Sequence, residues 1–292
     1  MPARSSSPFP VLREPDSPIE KTTAIVLQIF PFSNTSQMVV WLTQDGTRLL
    51  TAIKGAARPK SFFLGQLDFF QTCELLYYRR TKDGVHVPRE CTALCRRDHL
   101  RVNWRAEHSA SWFAALANIA ATSDAPQPDL FRLLDNTLSN LDSCGPHVPP
   151  SPLLFAAYEA RLLCAAGLRP NFSRAAFPTP AVHPQRIRFN LAEGRIADDL
   201  MVAESNSLHH FIPDTKPKPR DPILNLSPES VQLFECLTAP HAFAIGQFPD
   251  SAPTTVKELL RFLGLFIRFH MPDAPTAGRA LALSSLHAPR FA

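Results

Sequence analysis

The spacing of apolar residues changes once along this chain, close to Arg105, and that change divides the fold. From Glu20 to about Arg97 they alternate as in β-strands, in five runs separated by turn-forming residues. The predicted strands cover residues 22–30, 37–43, 47–53, 67–78 and 85–95. Five short antiparallel strands within about 80 residues are typical of a small closed barrel such as an OB-fold.

Beyond Arg105, apolar residues recur at nearly every fourth position, which predicts amphipathic helices. Trp112, Leu116 and Ile119 share one such face. Further helices are predicted over residues 129–141, 152–166, 228–237 and 255–270. Short proline-containing joins between them favour a compact bundle. The predicted fold class is therefore α+β, with an N-terminal five-stranded OB-fold barrel followed by an α-helical domain.

Composition places the boundaries of these units. Residues 1–18 are rich in Pro, Ser and Arg, so we expect a disordered tail there. The barrel is expected at 19–105, the helical domain at 106–174 and its completing helices at 223–292. Between them, the polar and Pro-rich residues 175–222 are expected to be irregular. One hairpin is indicated within that segment, at 186–191 and 195–202.

Positive charge is concentrated in one part of the chain. The net charge is only +4, yet residues 48–105 carry 12 Lys or Arg against 5 Asp or Glu, a local excess of seven. Polyanion binding is therefore expected in this part. No apolar run reaches the roughly 18 residues that a membrane span needs, and the first residues lack the apolar stretch of a signal peptide. We expect a cytoplasmic protein.

A search for catalytic motifs finds none. The sequence contains no GxxxxGK[ST], GxGxxG, GxSxG or HExxH, and its 10 glycines leave little material for a nucleotide-binding loop. We therefore expect no enzymatic activity and no cofactor. His209 and His210 are assigned no role, because an adjacent pair in a polar loop is more often a solvated surface feature.

One stretch offers donors with metal-ligand character. His86, Cys91, Cys95 and His99 follow one another at spacings of five, four and four residues, and all are acceptable zinc ligands. If this stretch is the fifth strand, however, Cys91 and Cys95 point to one face and pack in the barrel as small apolar residues. We prefer the second interpretation, with the six cysteines reduced, and predict no metal site.

The strongest group of candidate residues is basic and aromatic. The turn after the third strand, residues 54–60, carries Lys54, Arg58 and Lys60, and its glycine permits close backbone approach. Two tyrosines end the fourth strand. Four more cations follow the fourth and fifth strands: Arg79, Arg80, Arg96 and Arg97. Charge attracts a single strand and aromatic faces stack on its bases. The alternative is ordinary surface charge together with the aromatic interior of a barrel.

Several runs of this sequence resemble the RecO family of recombination proteins. The most specific is Ile53-Lys-Gly-Ala-Ala-Arg-Pro-Lys-Ser61, supported by residues 23–28 and 34–43. Residues 155–174 resemble the family's helix that leads into its zinc knuckle. The resemblance implies an OB-fold followed by a helical domain. It also implies single-stranded DNA binding, strand annealing, and RecA loading in the nucleoid together with RecR and single-strand-binding protein.

The resemblance ranks the DNA-contact candidates and exposes one departure. Carried over residue by residue, Lys54, Arg58 and Lys60 become the first candidates, whereas the four arginines near the strand ends stay second. Many family members place a cysteine directly after the segment that matches residues 171–174, where a zinc knuckle begins. Here the next residues are Ala, Ala and Phe, and no CxxC follows. Zinc is therefore expected to be absent, which leaves the fold of residues 175–222 open.

Partner binding is predicted on the helical domain. Arg132, Arg161 and Arg169 lie on or beside apolar helices, where an acidic peptide with an aromatic end could bind. The alternative for each of them is a solvated position at the helix surface. We expect a monomer. A second function for the whole chain also stays open, namely an OB-fold scaffold that acts mainly through protein contacts.

Overall fold

The computed structural model describes residues 18–63, 66–80, 84–173, 186–197, 223–239 and 248–286. Some sequence-based expectations therefore lie outside the described residues. They are the tail before Pro18, the residues His209 and His210, and the residues 175–177 that stand where a zinc knuckle would begin.

Five strands close into a barrel in the N-terminal third. They are β1 (Ile19–Pro31), β2 (Gln37–Thr43), β3 (Arg48–Ile53), β4 (Thr72–Tyr78) and β5 (Val85–Cys95). Their order around the barrel is β1-β2-β3-β5-β4, antiparallel throughout except for the parallel pair β3 and β5. This is the strand order of an OB-fold, so the predicted fold class is confirmed. Strand β4 begins five residues later than predicted, because Phe70 adopts a φ of 65° and turns the chain just before it.

The barrel is covered on one side by the helical domain, and its first two strands show this directly. In β1 and β2, Val26, Val39 and Trp41 point into the barrel interior. Their neighbours Ile25 and Leu42 point outward and join a core shared with the helices. Both faces of β1 and β2 are therefore buried here, so apolar residues follow one another without polar residues between them.

Six helices follow in the described part of the chain. They are α1 (Trp104–Ala120), α2 (Pro128–Ser143), α3 (Pro152–Ala165), α4 (Pro228–Thr238), α5 (Pro253–His270) and α6 (Thr276–Ser285). A proline occupies the first turn of α2, α3, α4 and α5, where its missing N–H costs no hydrogen bond. Helix α6 was not predicted. Only Ala282 and Ser285 are buried on it, so its sequence shows no stripe of large apolar residues that would indicate a helix. None of the described helices is both long and apolar enough to cross a bilayer.

A second, small sheet has two strands in the segment that was expected to be irregular and one directly after it. Strands β6 (Ile187–Asn190) and β7 (Arg195–Ile196) form the predicted hairpin, and β8 (Ile223–Leu226) pairs with the other edge of β6. Strand β8 corrects a different expectation, namely that residues 223–292 contribute helices only. Phe189 of β6 lies at the centre of an aromatic cluster with Phe172, Phe262 and Phe266, at ring-centroid distances of 5.2, 5.1 and 6.1 Å. Aromatic packing thus holds this sheet against the helices.

Hydrogen bonds and close backbone contacts fix the barrel to the helical domain. The Arg48 backbone N–H donates to the Thr122 carbonyl oxygen at 2.9 Å, and its Nε donates to Asn118 Oδ1 at 2.7 Å. Thr72 Oγ1 at the start of β4 donates to Asp135 Oδ1 of α2 at 2.7 Å. Together with the shared apolar core, these contacts hold the barrel surfaces in a fixed position relative to α1 and α2.

Candidate nucleic-acid interface

The turn after β3 presents three cations to solvent. Lys54, Arg58 and Lys60 are all exposed, and none forms an ion pair with another residue of the described segments. The turn is held by its own backbone: Arg58 N–H donates to the Gly55 carbonyl at 3.1 Å, and Ser61 N–H to the Arg58 carbonyl at 2.9 Å. Gly55 has a φ of 70°, which other residues adopt only with strain. The three first-rank candidates thus remain free to contact phosphates.

The same turn lies against the β1–β2 connection and brings exposed aromatic rings beside the cations. The Ala57 N–H donates to the Thr35 carbonyl at 3.1 Å. Two residues after Lys60, Phe62 is 94% exposed, and Phe32 in the β1–β2 connection is 50% exposed. We call Lys54, Arg58, Lys60 and Phe62 the loop surface. In the sequence, Phe62 is marked only by its place in a Phe-Phe pair, of which Phe63 packs on the barrel core.

Arg79 and Arg80, at the end of β4, are less available than the loop surface. The Arg79 Nη1 lies 2.9 Å from Glu20 Oε1, and the Tyr77 hydroxyl donates to Glu20 Oε2 at 2.6 Å. These two contacts hold the pKa of the Glu20 carboxyl below its ordinary value. Arg80 is half-buried, and its backbone N–H donates to His86 Nδ1 at 3.0 Å. Burial, with Arg79 nearby, lowers the pKa of His86, so the ring is neutral at pH 7.

A cleft of about 630 Å³ separates this end of the barrel from the connection between α1 and α2. Its lining includes the cations Arg48, Arg79 and Arg80. It also includes the carboxylates of Glu20, Asp45 and Asp124. Because the two signs balance there, the cleft attracts a polyanion less than the loop surface does.

The two arginines that follow β5 face opposite ways. Arg96 is exposed and forms no ion pair with any described residue, as expected for a DNA contact. The prediction for Arg97 is wrong, because its side chain is only 1% exposed. Its guanidinium donates to Asp135 Oδ1 at 2.6 Å and to Thr72 Oγ1 at 2.9 Å, and also to the Phe70 carbonyl. A left-handed backbone conformation at Arg97, with φ 51°, turns the side chain inward between β4 and α2.

Two family models match this chain, one over the barrel and one over the helical domain. The family described as Recombination protein O N terminal matches residues 18–94, and the one described as Recombination protein O C terminal matches residues 104–279. The chain belongs to the recombination protein O family. Together the two matches cover the barrel, the helices from α1 to α5 and the small sheet of this RecO-family chain.

Several curated relatives carry the name DNA repair protein RecO. The one from Rhodopirellula baltica is 30% identical over 140 residues, which are 48% of this chain and 52% of the relative. The one from Anaeromyxobacter dehalogenans strain 2CP-C is 29% identical over 180 residues, or 60% of this chain and 67% of the relative. The match to the Rhodopirellula protein thus spans about half of that protein's length.

The positions of the side chains on and after β5 bear on whether this stretch of the RecO-family chain could bind zinc. Cys91 is buried in the interior whereas Cys95 is exposed, so the expectation that both share one face is wrong. Strand β5 carries an extra residue opposite the Thr72–Cys73 step, which reverses the alternation between the two cysteines. His99 binds Asp142 instead, with its Nδ1 3.0 Å from the Asp142 carbonyl. Within the described residues, no three His, Cys, Asp or Glu side chains gather closely enough to hold a metal ion.

The three arginines proposed for partner binding each have a contact within the chain. Arg132 is exposed and pairs with Asp129 on the same turn of α2 at 3.0 Å. Arg161 Nε donates to the Leu237 carbonyl at 2.8 Å, and Arg169 pairs with Glu235. Arg161 also lines a depression between α2 and α3 whose free volume is about 10 Å³, close to that of one water molecule. In this conformation the depression has no room for a peptide side chain.

Proposed function

We propose that this protein is a recombination mediator in DNA repair, which binds single-stranded DNA on the loop surface and promotes annealing of complementary strands. We further propose that it assists RecA loading together with RecR and single-strand-binding protein. The observation that supports this proposal most directly is the exposure of Lys54, Arg58 and Lys60, without ion pairs among the described residues, beside the 94% exposed Phe62. The family membership and the names of the relatives support the same role.

The physical basis of the proposal is electrostatic attraction followed by stacking. Cations that neutralise phosphates release counterions, and this release provides most of the sequence-independent affinity. An aromatic face next to them can stack on a base of any identity. The protein acts by positioning DNA strands, so no covalent bond is made or broken. It works in the cytoplasm on nucleoid DNA.

Salt dependence tests the loop surface. Each phosphate neutralised on a single strand contributes about −0.7 to the slope of log K against log salt concentration. Changing Lys54, Arg58 and Lys60 together to Ala should therefore make the slope less steep by about 2 units. The measurement is fluorescence anisotropy of a labelled oligonucleotide at several salt concentrations.

A matched control separates local contacts from net charge. Lys257, Arg261 and Arg268 are exposed on α5, and their change to Ala removes the same three charges from the helical domain. The control variant should keep the wild-type slope to within about half a unit. An unchanged slope in the loop variant would refute the assignment of the loop surface.

Annealing and partner steps need their own measurement. Complementary oligonucleotides coated with single-strand-binding protein should anneal faster in the presence of this protein, and the loop variant should lose most of that acceleration. A scaffold that works through protein contacts would instead bind oligonucleotides weakly and independently of their length, and would leave the annealing rate unchanged.

A further inference from the structure

One tryptophan of this protein lies at the surface while the other two are buried. Trp41 is 0% exposed inside the barrel and Trp112 is 1% exposed in the helical core. Both indole N–H groups are satisfied there, by Thr51 Oγ1 at 2.9 Å and by Glu159 Oε1 at 2.9 Å. Trp104, the first residue of α1, is 52% exposed. Tryptophan is enriched at binding surfaces, so this exposed ring is a candidate contact for a partner.

Cationic and aromatic groups surround this exposed ring. The guanidinium carbon of Arg105 lies 4.7 Å from the Trp104 ring centroid, within the range of a cation–π contact. The His108 ring meets it edge-on at 5.4 Å. Arg105 Nε is buried without a hydrogen-bond partner in the described part of the molecule. The ring is therefore held in place, yet more than half of its surface is open.

The connection between the barrel and α1 adds further positive charge. Arg96 and Arg101 are exposed on it, whereas Arg97 points inward. Arg101 pairs with Asp68, whose neighbour Phe69 is 46% exposed at the end of the β3–β4 connection. That connection begins with the loop surface, so both ends of it carry an exposed phenylalanine next to arginine or lysine side chains.

We propose that Arg96, Arg101, Trp104 and Arg105 form a second contact site for single-stranded DNA, the junction site, in which an unpaired base stacks on Trp104. This inference rests on the proposed function and extends the path of the strand from the loop surface to the start of α1. Arg96, which forms no ion pair with a described residue, and Arg105 carry the charge that a phosphate backbone requires, whereas Arg101 is shared with Asp68 and contributes less. Indole gives a face on which any base can stack. A strand bound at both sites is held at two points.

The exposure pattern supplies a specific probe for this site. Because Trp41 and Trp112 are buried, a change in tryptophan emission on binding reports mainly on Trp104. An oligothymidylate of about 30 nucleotides should quench the emission saturably, and the variant Trp104→Phe should lose that quenching. Trp104→Ala should weaken binding of the same oligonucleotide by about tenfold, measured by anisotropy of a labelled strand. An oligonucleotide of about six nucleotides, which the loop surface alone can hold, should lose much less.

Controls and contrary results separate this inference from the proposed function. Phe269→Ala removes another exposed aromatic ring, on α5, and should leave affinity unchanged. If the labelled strand binds but Trp104 emission does not respond, the junction site is refuted and the proposed function stands. If no strand binds at all, both fail. Quenching by an acidic peptide and not by DNA would assign the surface to a protein partner and would equally refute the inference.

Discussion

The Arg97 guanidinium lies 2.6 Å from the Asp135 carboxylate, and this contact joins the barrel to helix α2. The arginine side chain is 1% exposed and the aspartate side chain 33% exposed, so only the arginine is fully shielded from solvent. Thr72 Oγ1 donates to the same carboxylate oxygen at 2.7 Å, which adds the first residue of β4 to the contact. Arg97, which the sequence analysis predicted as a DNA contact, therefore links two parts of the fold instead.

Exchanging Arg97 for alanine should lower stability rather than DNA affinity. The variant would remove the charged donor of Asp135, which keeps only the Thr72 hydroxyl, and would leave the buried Phe70 carbonyl without its side-chain donor, at a cost of about 3 kcal/mol. Urea unfolding followed by circular dichroism measures this loss. The folded fraction of the variant should bind single-stranded DNA as the wild type does.

The neighbouring Arg96 gives the matched control, since it is the same residue type one position earlier. Arg96→Ala should change the free energy of unfolding by about 0.5 kcal/mol or less and should weaken DNA binding. If Arg97→Ala weakened DNA binding with little loss of stability, the inward assignment of Arg97 would be wrong.

Gly46 holds the β2–β3 turn against the helical domain. Its φ is 80°, and a Cβ atom built there would lie 1.9 Å from the Gln127 carbonyl oxygen. Gly46→Ala should therefore combine a backbone cost of about 1 kcal/mol with displacement of the α1–α2 connection, for a total of about 3 kcal/mol. Thermal and urea unfolding measure this loss.

Gly145 is the comparison for that substitution. It has nearly the same φ, 77°, and no atom within 4 Å of a built Cβ. Gly145→Ala should therefore cost only the backbone term of about 1 kcal/mol. Equal losses in the two variants would show that the contact between Gly46 and Gln127 contributes nothing.

Glu20 links stability to pH and also restrains Arg79. Its pKa is lowered by the Tyr77 and Arg79 hydrogen bonds, so its stabilising contribution is present above the ordinary pKa of a glutamate and is lost as the pH falls through the lowered value. The wild type should therefore exceed Glu20→Gln in stability at pH 7, and the difference should shrink as the pH falls through the lowered pKa of Glu20. Urea unfolding at several pH values measures it.

The same substitution should act in the opposite direction on DNA binding. Glu20→Gln frees Arg79 and removes a negative charge near the barrel end, so affinity for single-stranded DNA at low salt should rise by about threefold. Glu74→Gln removes an equal charge from β4, where Glu74 pairs with Lys21 at 2.8 Å. If both variants raised affinity equally, net charge and not Arg79 would be responsible.

The sequence predicted the parts of this fold that depend on local spacing. Five strand-like runs predicted the five barrel strands, and the single glycine and proline of residues 54–60 indicated the exposed turn. Three of the failures depend on residues far away in the chain. Arg97 turns inward because its ion-pair partner, Asp135, lies on α2. Cys95 turns outward because a bulge in β5 opposite β4 reverses the alternation of side chains. Helix α6 is held by Arg279, which binds the buried Glu159 at 2.7 Å across 120 residues.

The small sheet beside α5 allows aromatic packing to be tested against a structural zinc ion as the source of its stability. Phe189 is 0% exposed and contacts the rings of Phe172, Phe262 and Phe266, so its removal leaves a cavity in the aromatic cluster. Phe189→Ala should cost about 3–5 kcal/mol, measured by urea unfolding. Phe269→Ala, on the exposed side of the same helix α5, should cost about 0.5 kcal/mol or less.

Metal removal distinguishes packing from coordination at the same place. If aromatic contacts hold the sheet, an excess of EDTA should leave the unfolding temperature of the wild type unchanged, because no ligand set contributes binding energy to the folded state. A structural zinc ion would instead make the unfolding temperature fall on chelation and recover on adding zinc. That result, together with a small effect of Phe189→Ala, would show that coordination and not the phenylalanine cluster maintains this part of the fold.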